Sequence, residues 1–199
     1  VNRLDAKKDH YRNLAHALGY RSRSAFKLIE LNKKYRIIKR HFFVLDLGCS
    51  PGGWMQVSKK LVGSKGKVVG IDISDMDEIK GTYFIKTNIN YSKNTVNNLI
   101  KYFGRKIDSV ICDISPQVIG VRSIDHIKQI ELINKCVTIM DSILSENGNA
   151  LFKVFDGEHA QQFKSDLKSK FMKFKTTKPK SSRKSSSETY CVGLGYLND

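Results

Sequence analysis

The chain has 199 residues, 35 Lys and Arg against 19 Asp and Glu, a formal net charge of +16, and 40% apolar with 10% aromatic side chains. That is enough apolar chain for the core of one domain, which excludes a disordered polycation, and no run approaches the ~18 apolar residues of a membrane span. Cys49, Cys112, Cys136 and Cys191 form no C-x-x-C pair, so neither a zinc site nor a disulfide framework is expected, and a reducing compartment is the default. The charge is clustered: residues 1–40 carry 12 Lys and Arg against 3 acids, residues 164–184 carry 9 against 1, and the remainder is close to neutral. Such clustering fits a polyanionic partner better than a general solubility device, because grouped cations release counterions from phosphates. We read residues 1–199 as one domain with a basic N-terminal helical segment (1–40) and a basic loop segment (164–184).

In chain order, SAFKLIELNKKY at 24–35 has a helical apolar period with Ser24 placed to cap it, so Lys27 leaves from an amphipathic helix. FFVLDLG at 42–48 reads as a buried strand that ends in the turn CSPGGW, after which WMQVSKKLV resumes helical spacing. KVVGIDIS at 67–74 and TYFIKTNI at 82–89 read as strands, and 94–104 as a helix closed by glycine. KIDSVICDISP at 106–116 gives a further strand, 123–148 a long helix, and NALFKVFDG at 149–157 another strand. A helix at 158–171, a strand at 172–177, a basic Ser/Lys segment and a last strand in TYCVGLGY complete the pattern. Strands alternating with helices predict a mostly parallel sheet covered on both faces, and the two final strands, with no helix between them, predict one antiparallel member.

The turn from Asp46 to Trp54 follows the first strand and opens a helix, the cofactor position of an open α/β sheet. Its glycines, Gly48, Gly52 and Gly53, match neither the dinucleotide fingerprint nor the P-loop, and are expected to let backbone approach a ligand closely. Asp72 ends the second strand 20 residues after Gly52, the spacing at which a carboxylate meets a ribose diol, although an isolated Asp there also reads as a turn residue. Asn88, at the end of the third strand, reads equally as an adenine contact or a turn residue. Lys153 lies inside the apolar strand LFKVF, where its ammonium needs either a strand end to escape from or a carboxylate partner. Asp113 follows the fourth apolar strand, and Glu188 is an isolated acid in a basic stretch. The histidines show no metal-ligand spacing and no G-x-S-x-G appears, so metal chemistry and hydrolysis have little support.

Taken together, YRSRSAFKL, DLGCSPGGW, CDISP, LFKVFDG and KPKSSRKSSSETY resemble the FtsJ-type ribosomal RNA 2′-O-ribose methyltransferases over residues 10–197. The resemblance implies a Rossmann-like S-adenosylmethionine-dependent methyltransferase fold with a seven-stranded, mostly parallel sheet and helices on both faces. It implies a catalytic tetrad of Lys27, Asp113, Lys153 and Glu188. Lys153 is expected to be the base or orienting group for a ribose 2′-hydroxyl, Asp113 to orient Lys153, and Glu188 to position the tetrad. The candidate cofactor residues are Gly48, Ser50, Pro51, Gly52, Gly53 and Trp54 in the turn, then Asp72, Ile73, Asn88 and Asp113, with no metal. The family commonly carries an acid where this chain has Asn88. Arg21, Arg23, Arg183 and Lys184 are expected to contact RNA phosphates. The expected partner is ribosomal RNA or the large ribosomal subunit, met by a monomer and without a membrane. Transfer RNA methylation and a non-catalytic role in RNA binding and ribosome assembly are the alternatives. The expected location is intracellular and cytoplasmic, with mitochondrial and nucleolar alternatives because the chain opens at Val1 rather than Met.

Overall fold

The computed structural model describes residues 3–89, 93–116, 119–183 and 186–198, with the backbone alone described for residues 3–9 and 122. The elements are α1 (Arg3–Ala17), α2 (Ala25–Tyr35), β1 (Phe43–Leu47), α3 (Gly53–Val62), β2 (Lys67–Asp72), β3 (Tyr83–Lys86), α4 (Lys93–Phe103), β4 (Ile107–Cys112), α5 (Arg122–Ile143), β5 (Leu144–Phe155), α6 (Ala160–Ser169), β6 (Phe171–Thr177) and β7 (Glu188–Tyr196). Among the described residues the strands form one seven-stranded sheet in the order β3-β2-β1-β4-β5-β7-β6. Strands β1 to β5 pair in parallel, and β7 runs antiparallel to both β5 and β6.

Side-chain alternation sorts the strands onto two faces. Val44, Ile111, Leu151, Tyr190 and Val192 pack with Leu28, Leu31, Trp54 and Met55 of α2 and α3. Leu45, Leu47, Val110, Cys112, Phe152 and Val154 pack on the other face with Leu99, Ile133, Met140 and Phe163 of α4, α5 and α6. Counting by twos from Ile111, Leu151 and Tyr190 puts Asp113, Lys153 and Glu188 on the face covered by α2. The parity of three strands therefore carries these polar residues towards the helix that bears Lys27.

Three expectations about local structure change. The long helix stops at Ile143, and β5 begins at once with Leu144 paired to Ile107, so residues 144–148 belong to the strand. Apolar periodicity favoured the helix, but the sheet offered Leu144 a fully buried place. The third strand is shorter than its apolar run, since Thr87 to Ile89 leave the sheet and Ile89 is buried among the core residues. Ser24 does not cap α2 through its side chain. Its hydroxyl lies 2.6 Å from that of Ser22, and its carbonyl accepts a 2.9 Å hydrogen bond from Trp54 Nε1.

Candidate active site

Lys27, Asp113, Lys153 and Glu188 come together at the carboxyl ends of β4 and β5, the amino end of β7 and the first turn of α2. They form two ion pairs. Lys27 Nζ lies 2.5 Å from Glu188 Oε1, and Lys153 Nζ lies 3.2 Å from Asp113 Oδ1. Lys153 also donates to the Asp113 carbonyl at 2.7 Å and to Ser115 Oγ at 2.6 Å, so three oxygens fix the position of one nitrogen. Tyr190 joins the pairs: its hydroxyl donates to Asp113 Oδ1 at 3.0 Å, and Lys27 Nζ sits 5.7 Å from its ring centroid. Burial raises the Tyr190 hydroxyl well above its ordinary pKa, and the charges of Asp113 and Glu188 push it further, so it stays a donor.

Lys27, Lys153 and Glu188 are only 9%, 6% and 8% exposed. Ions this buried persist when each is paired and hydrogen-bonded. Burial pushes the Glu188 carboxyl up, but the hydrogen bond and charge of Lys27 outweigh it, and the net displacement is downward. Lys27 is placed by the loop before α2, which is clamped to the start of α3. Arg21 N donates to Gln56 Oε1 at 2.8 Å, Gln56 Nε2 donates to the Gly19 carbonyl at 2.8 Å, and Trp54 holds the Ser24 carbonyl.

A cleft of about 480 Å³ adjoins this group, lined in part by Gly48, Ser50, Asp72, Ile73, Asn88 and Asp113. All six are candidate cofactor residues. The Asp72 carboxylate accepts from Ser50 N at 3.0 Å and Ser74 N at 2.8 Å, which ties the turn after β1 to the end of β2. The other turn residues serve it from behind. Pro51 lines a neighbouring cleft with Arg21 and Met76, and Trp54 is 2% exposed with its ring 6.1 Å from that of Tyr190. The glycines also make room for neighbouring protein segments. Gly48 has φ +77°, and a Cβ there would meet Ile114 at 2.7 Å, while a Cβ on Gly53 would collide with the Ser22 hydroxyl. Their lack of a side chain admits neighbouring protein segments. Gly52, with φ +103°, likewise faces Ile79 and Met76.

Asp46, which sequence reasoning passed over, is completely buried, and neither carboxylate oxygen has a hydrogen-bond partner among the described residues. Burial, followed by the fields of Asp113, Cys112 and Asp72, holds its carboxyl well above the usual range. Asp46, Asp72 and Asp113 thus converge on one end of the sheet with acceptors to spare. The acceptors that reach the cleft, Asp72 and Asp113, fit a ligand that carries positive charge and a diol.

A family model described as FtsJ-like methyltransferase matches residues 20–196. The chain belongs to the FtsJ-like methyltransferase family. A protein named ribosomal RNA large subunit methyltransferase E, from Nitrosopumilus maritimus, is 54% identical to it over 98% of both chains. A protein of the same name from Cenarchaeum symbiosum is 49% identical over 97% of both. The crystal structure of a ribosomal RNA methyltransferase from Plasmodium falciparum superposes with a TM-score of 0.79 at 35% identity, covering 90% of this chain and all of that one.

In this FtsJ-like methyltransferase the predicted phosphate contacts separate. Arg23 and Arg183 line a cleft of about 370 Å³ with Ser24, Lys27, Ser186 and Glu188. Arg23 Nη1 is buried without a hydrogen-bond partner among the described residues, and burial and then the charge of Arg183 lower its pKa. Arg21 is spent within the protein, donating to the carbonyls of Asp77 at 2.6 Å and Glu78 at 2.8 Å. Lys184 lies outside the described residues. Tyr190 and Ser115 also went unread as site residues. The signal for Tyr190 was its place two residues after Glu188 on one strand, which directs both side chains to one face.

Proposed function

We propose that this enzyme transfers a methyl group from S-adenosylmethionine to a ribose 2′-hydroxyl of large-subunit ribosomal RNA. The observation that carries the reading is the pair of buried ion pairs, Lys27 with Glu188 and Lys153 with Asp113, joined by Tyr190 beside a cleft floored by carboxylates. The names of the relatives from Nitrosopumilus and Cenarchaeum support the choice of RNA. When bound, S-adenosylmethionine supplies an electrophilic methyl carbon on a sulfonium. Asp72 is suited to its ribose diol, Ile73 and Asn88 to the adenine, and Asp113 to its positive charge.

The chain's own residues perform the rest. Lys153 Nζ, having first released its own ammonium proton to solvent, accepts the 2′-hydroxyl proton as the oxygen bonds to the methyl carbon and the methyl–sulfur bond breaks, while Asp113 and Ser115 keep that nitrogen in line. Lys27 and Glu188 form the wall against which the ribose rests. Orientation of this kind, together with general base assistance of about 10² to 10⁴-fold, accounts for a rate enhancement without a covalent intermediate. Arg23 and Arg183 take the flanking phosphate, which gives affinity without sequence choice, so the nucleotide is selected by the shape of the RNA or of the ribosomal particle.

The test is transfer of labelled methyl to ribosomal subunits, naked ribosomal RNA and transfer RNA in parallel. Label in 2′-O-methylribose of large-subunit RNA, lost in Lys153→Met while the cofactor still binds, is the expected result. Label confined to transfer RNA, or normal turnover by Lys153→Met, would overturn the reading.

A further inference from the structure

Lys153 does its work at a place where the sheet is breaking up. Pairing of β4 with β5 ends at Cys112 opposite Phe152. Past that point the chain after β4 leaves the sheet, which allows the Asp113 carbonyl and Ser115 to turn towards Lys153 Nζ. The departure exposes one peptide edge of β5: the carbonyl of Lys153 and the amide of Phe155 point to the side that β4 has vacated. On the opposite edge β5 remains paired with β7, through Lys153 with Tyr190 and Phe155 with Glu188.

The vacated edge is closed by a side chain from α5. Gln129 is completely buried. Its Nε2 donates to the Lys153 carbonyl at 3.0 Å, and its Oε1 accepts from Phe155 N at 3.0 Å. In a parallel ladder one residue of the neighbouring strand donates to the carbonyl of residue i−1 and accepts from the amide of residue i+1. Gln129 makes both bonds around Val154, so a single side-chain amide stands in for the missing strand residue. The same end of α5 ties down the adjoining loops. Asp125 accepts from Ile119 N at 2.8 Å and Gly120 N at 3.0 Å, and His126 Nε2 accepts from His159 N at 3.1 Å.

We infer that Gln129 is a positioning residue for methyl transfer, holding the backbone of Lys153 in strand geometry after β4 has left. The inference rests on the proposed reading that Lys153 Nζ handles the 2′-hydroxyl. Gln129 touches neither substrate nor cofactor. It lies on the α5 face of the sheet, and Lys153 reaches the site from the opposite face. A small rotation of the 153–155 peptide units swings Nζ away from Asp113 and Ser115, and a displacement of ~1 Å at a reacting group costs about 10²-fold in rate.

The experiment compares wild type, Gln129→Leu, Gln129→Glu and Lys153→Met on large ribosomal subunits, measuring kcat, KM for RNA, cofactor affinity by calorimetry and amide exchange across 152–156. In a wholly buried place a glutamate side chain is held neutral, and a neutral carboxyl offers one donor and one acceptor as the amide does. The expected result is that Gln129→Leu lowers kcat roughly 10- to 100-fold with cofactor affinity and KM for RNA within about two-fold. Exchange at Phe155 rises, and Gln129→Glu recovers most of the rate. Turnover by Gln129→Leu within two-fold of wild type, an equal loss in cofactor affinity, or a failure of Gln129→Glu to recover would each overturn the inference. An active Lys153→Met enzyme would instead overturn the reading on which it stands.

Discussion

Replacing Lys27 by methionine keeps an apolar stem beside the Tyr190 ring and removes the charge opposite Glu188. Loss of one member of a buried ion pair costs about 3 to 5 kcal/mol, because the remaining ion has lost both water and partner. Both side chains retain 11% of their exposure, which places this pair at the low end, about 3 kcal/mol. For a chain of this length ~1 kcal/mol shifts the midpoint by roughly 2 to 4 °C, so Lys27→Met should unfold roughly 6 to 12 °C below wild type near pH 7.5. The pH dependence follows from the Glu188 carboxyl. In wild type it lies below its ordinary value despite burial, because of Lys27. Its contribution is therefore fully present above the unfolded-state pKa of ~4.3 and lost as pH falls through the lower folded value. In the variant, burial, the largest influence, is left with Lys153 as the opposing cation, and the folded value moves up. The charged carboxylate is then a liability that vanishes on protonation. Thermal unfolding followed by circular dichroism should show the gap widest near neutral pH and closing towards about pH 4. Adding Glu188→Leu should restore most of the midpoint while leaving the enzyme inactive. An unchanged midpoint in Lys27→Met near neutral pH, or a deficit that the second substitution fails to relieve, would refute the reasoning.

Gly53→Ala should push the Ser22 loop off α3 and displace Lys27, lowering methyl transfer more than cofactor affinity, and Ser22→Gly should recover part of the loss because the Cβ meets that hydroxyl. Measured RNA affinity should show Arg23→Ala reducing the slope of log K against log salt by about 1, whereas Arg21→Ala, whose guanidinium is held by backbone carbonyls, should leave the slope intact and weaken the cofactor turn. Without cofactor, Asp46→Asn should become increasingly more stable than wild type as pH rises. The folded Asp46 carboxyl is raised by burial, so its contribution is full below the unfolded value of ~3.9 and lost as pH climbs through the folded one. Stability curves that run parallel from acid to alkaline pH would count against that assignment.

How far the sequence could be read depended on what each residue answers to. The strand–turn–helix around Asp46 to Trp54, the alternation of β and α, and the inverted last strand were legible because periodicity and glycine placement are local signals. The tetrad residues, and the partnership of Asp113 with Lys153, were expected through family resemblance, but the pairing of Lys27 with Glu188 was not. That pair depends on strand parity and on the position of α2, which no local spacing encodes. The glycines show the same limit from the other side. Gly48 and Gly53 were singled out as places of close approach, and a side chain there would meet Ile114 and Ser22, neighbours that no local pattern names. Arginines are legible as charge but not as destination: Arg23 and Arg21 stand two residues apart, and Arg23 keeps one guanidinium nitrogen without a partner among the described residues beside Lys27, while Arg21 spends both of its own on the carbonyls of Asp77 and Glu78.

The residues that escaped reading, Asp46, Ser115, Gln129 and Tyr190, share a physical circumstance. Asp46, Gln129 and Tyr190 are polar groups at buried positions in strands or a helix, where local pattern predicts an apolar residue, and Ser115 is an exposed serine in the segment after β4, where local pattern gives it no particular role. Their reason is tertiary. When β4 leaves the sheet to bring Asp113 and Ser115 to Lys153, it frees backbone groups on β5 that must be satisfied elsewhere, and α5 answers with Gln129. When β7 runs antiparallel beside β5, it sets Tyr190 across from Lys153 and brings a phenol to Asp113. Lys153, the proposed catalytic residue, is thus held at both ends, its nitrogen by Asp113 and Ser115 and its backbone by Gln129. A site built this way requires the sheet to be irregular at one point, and the polar residues that repair the irregularity belong to the function as much as the four ions do.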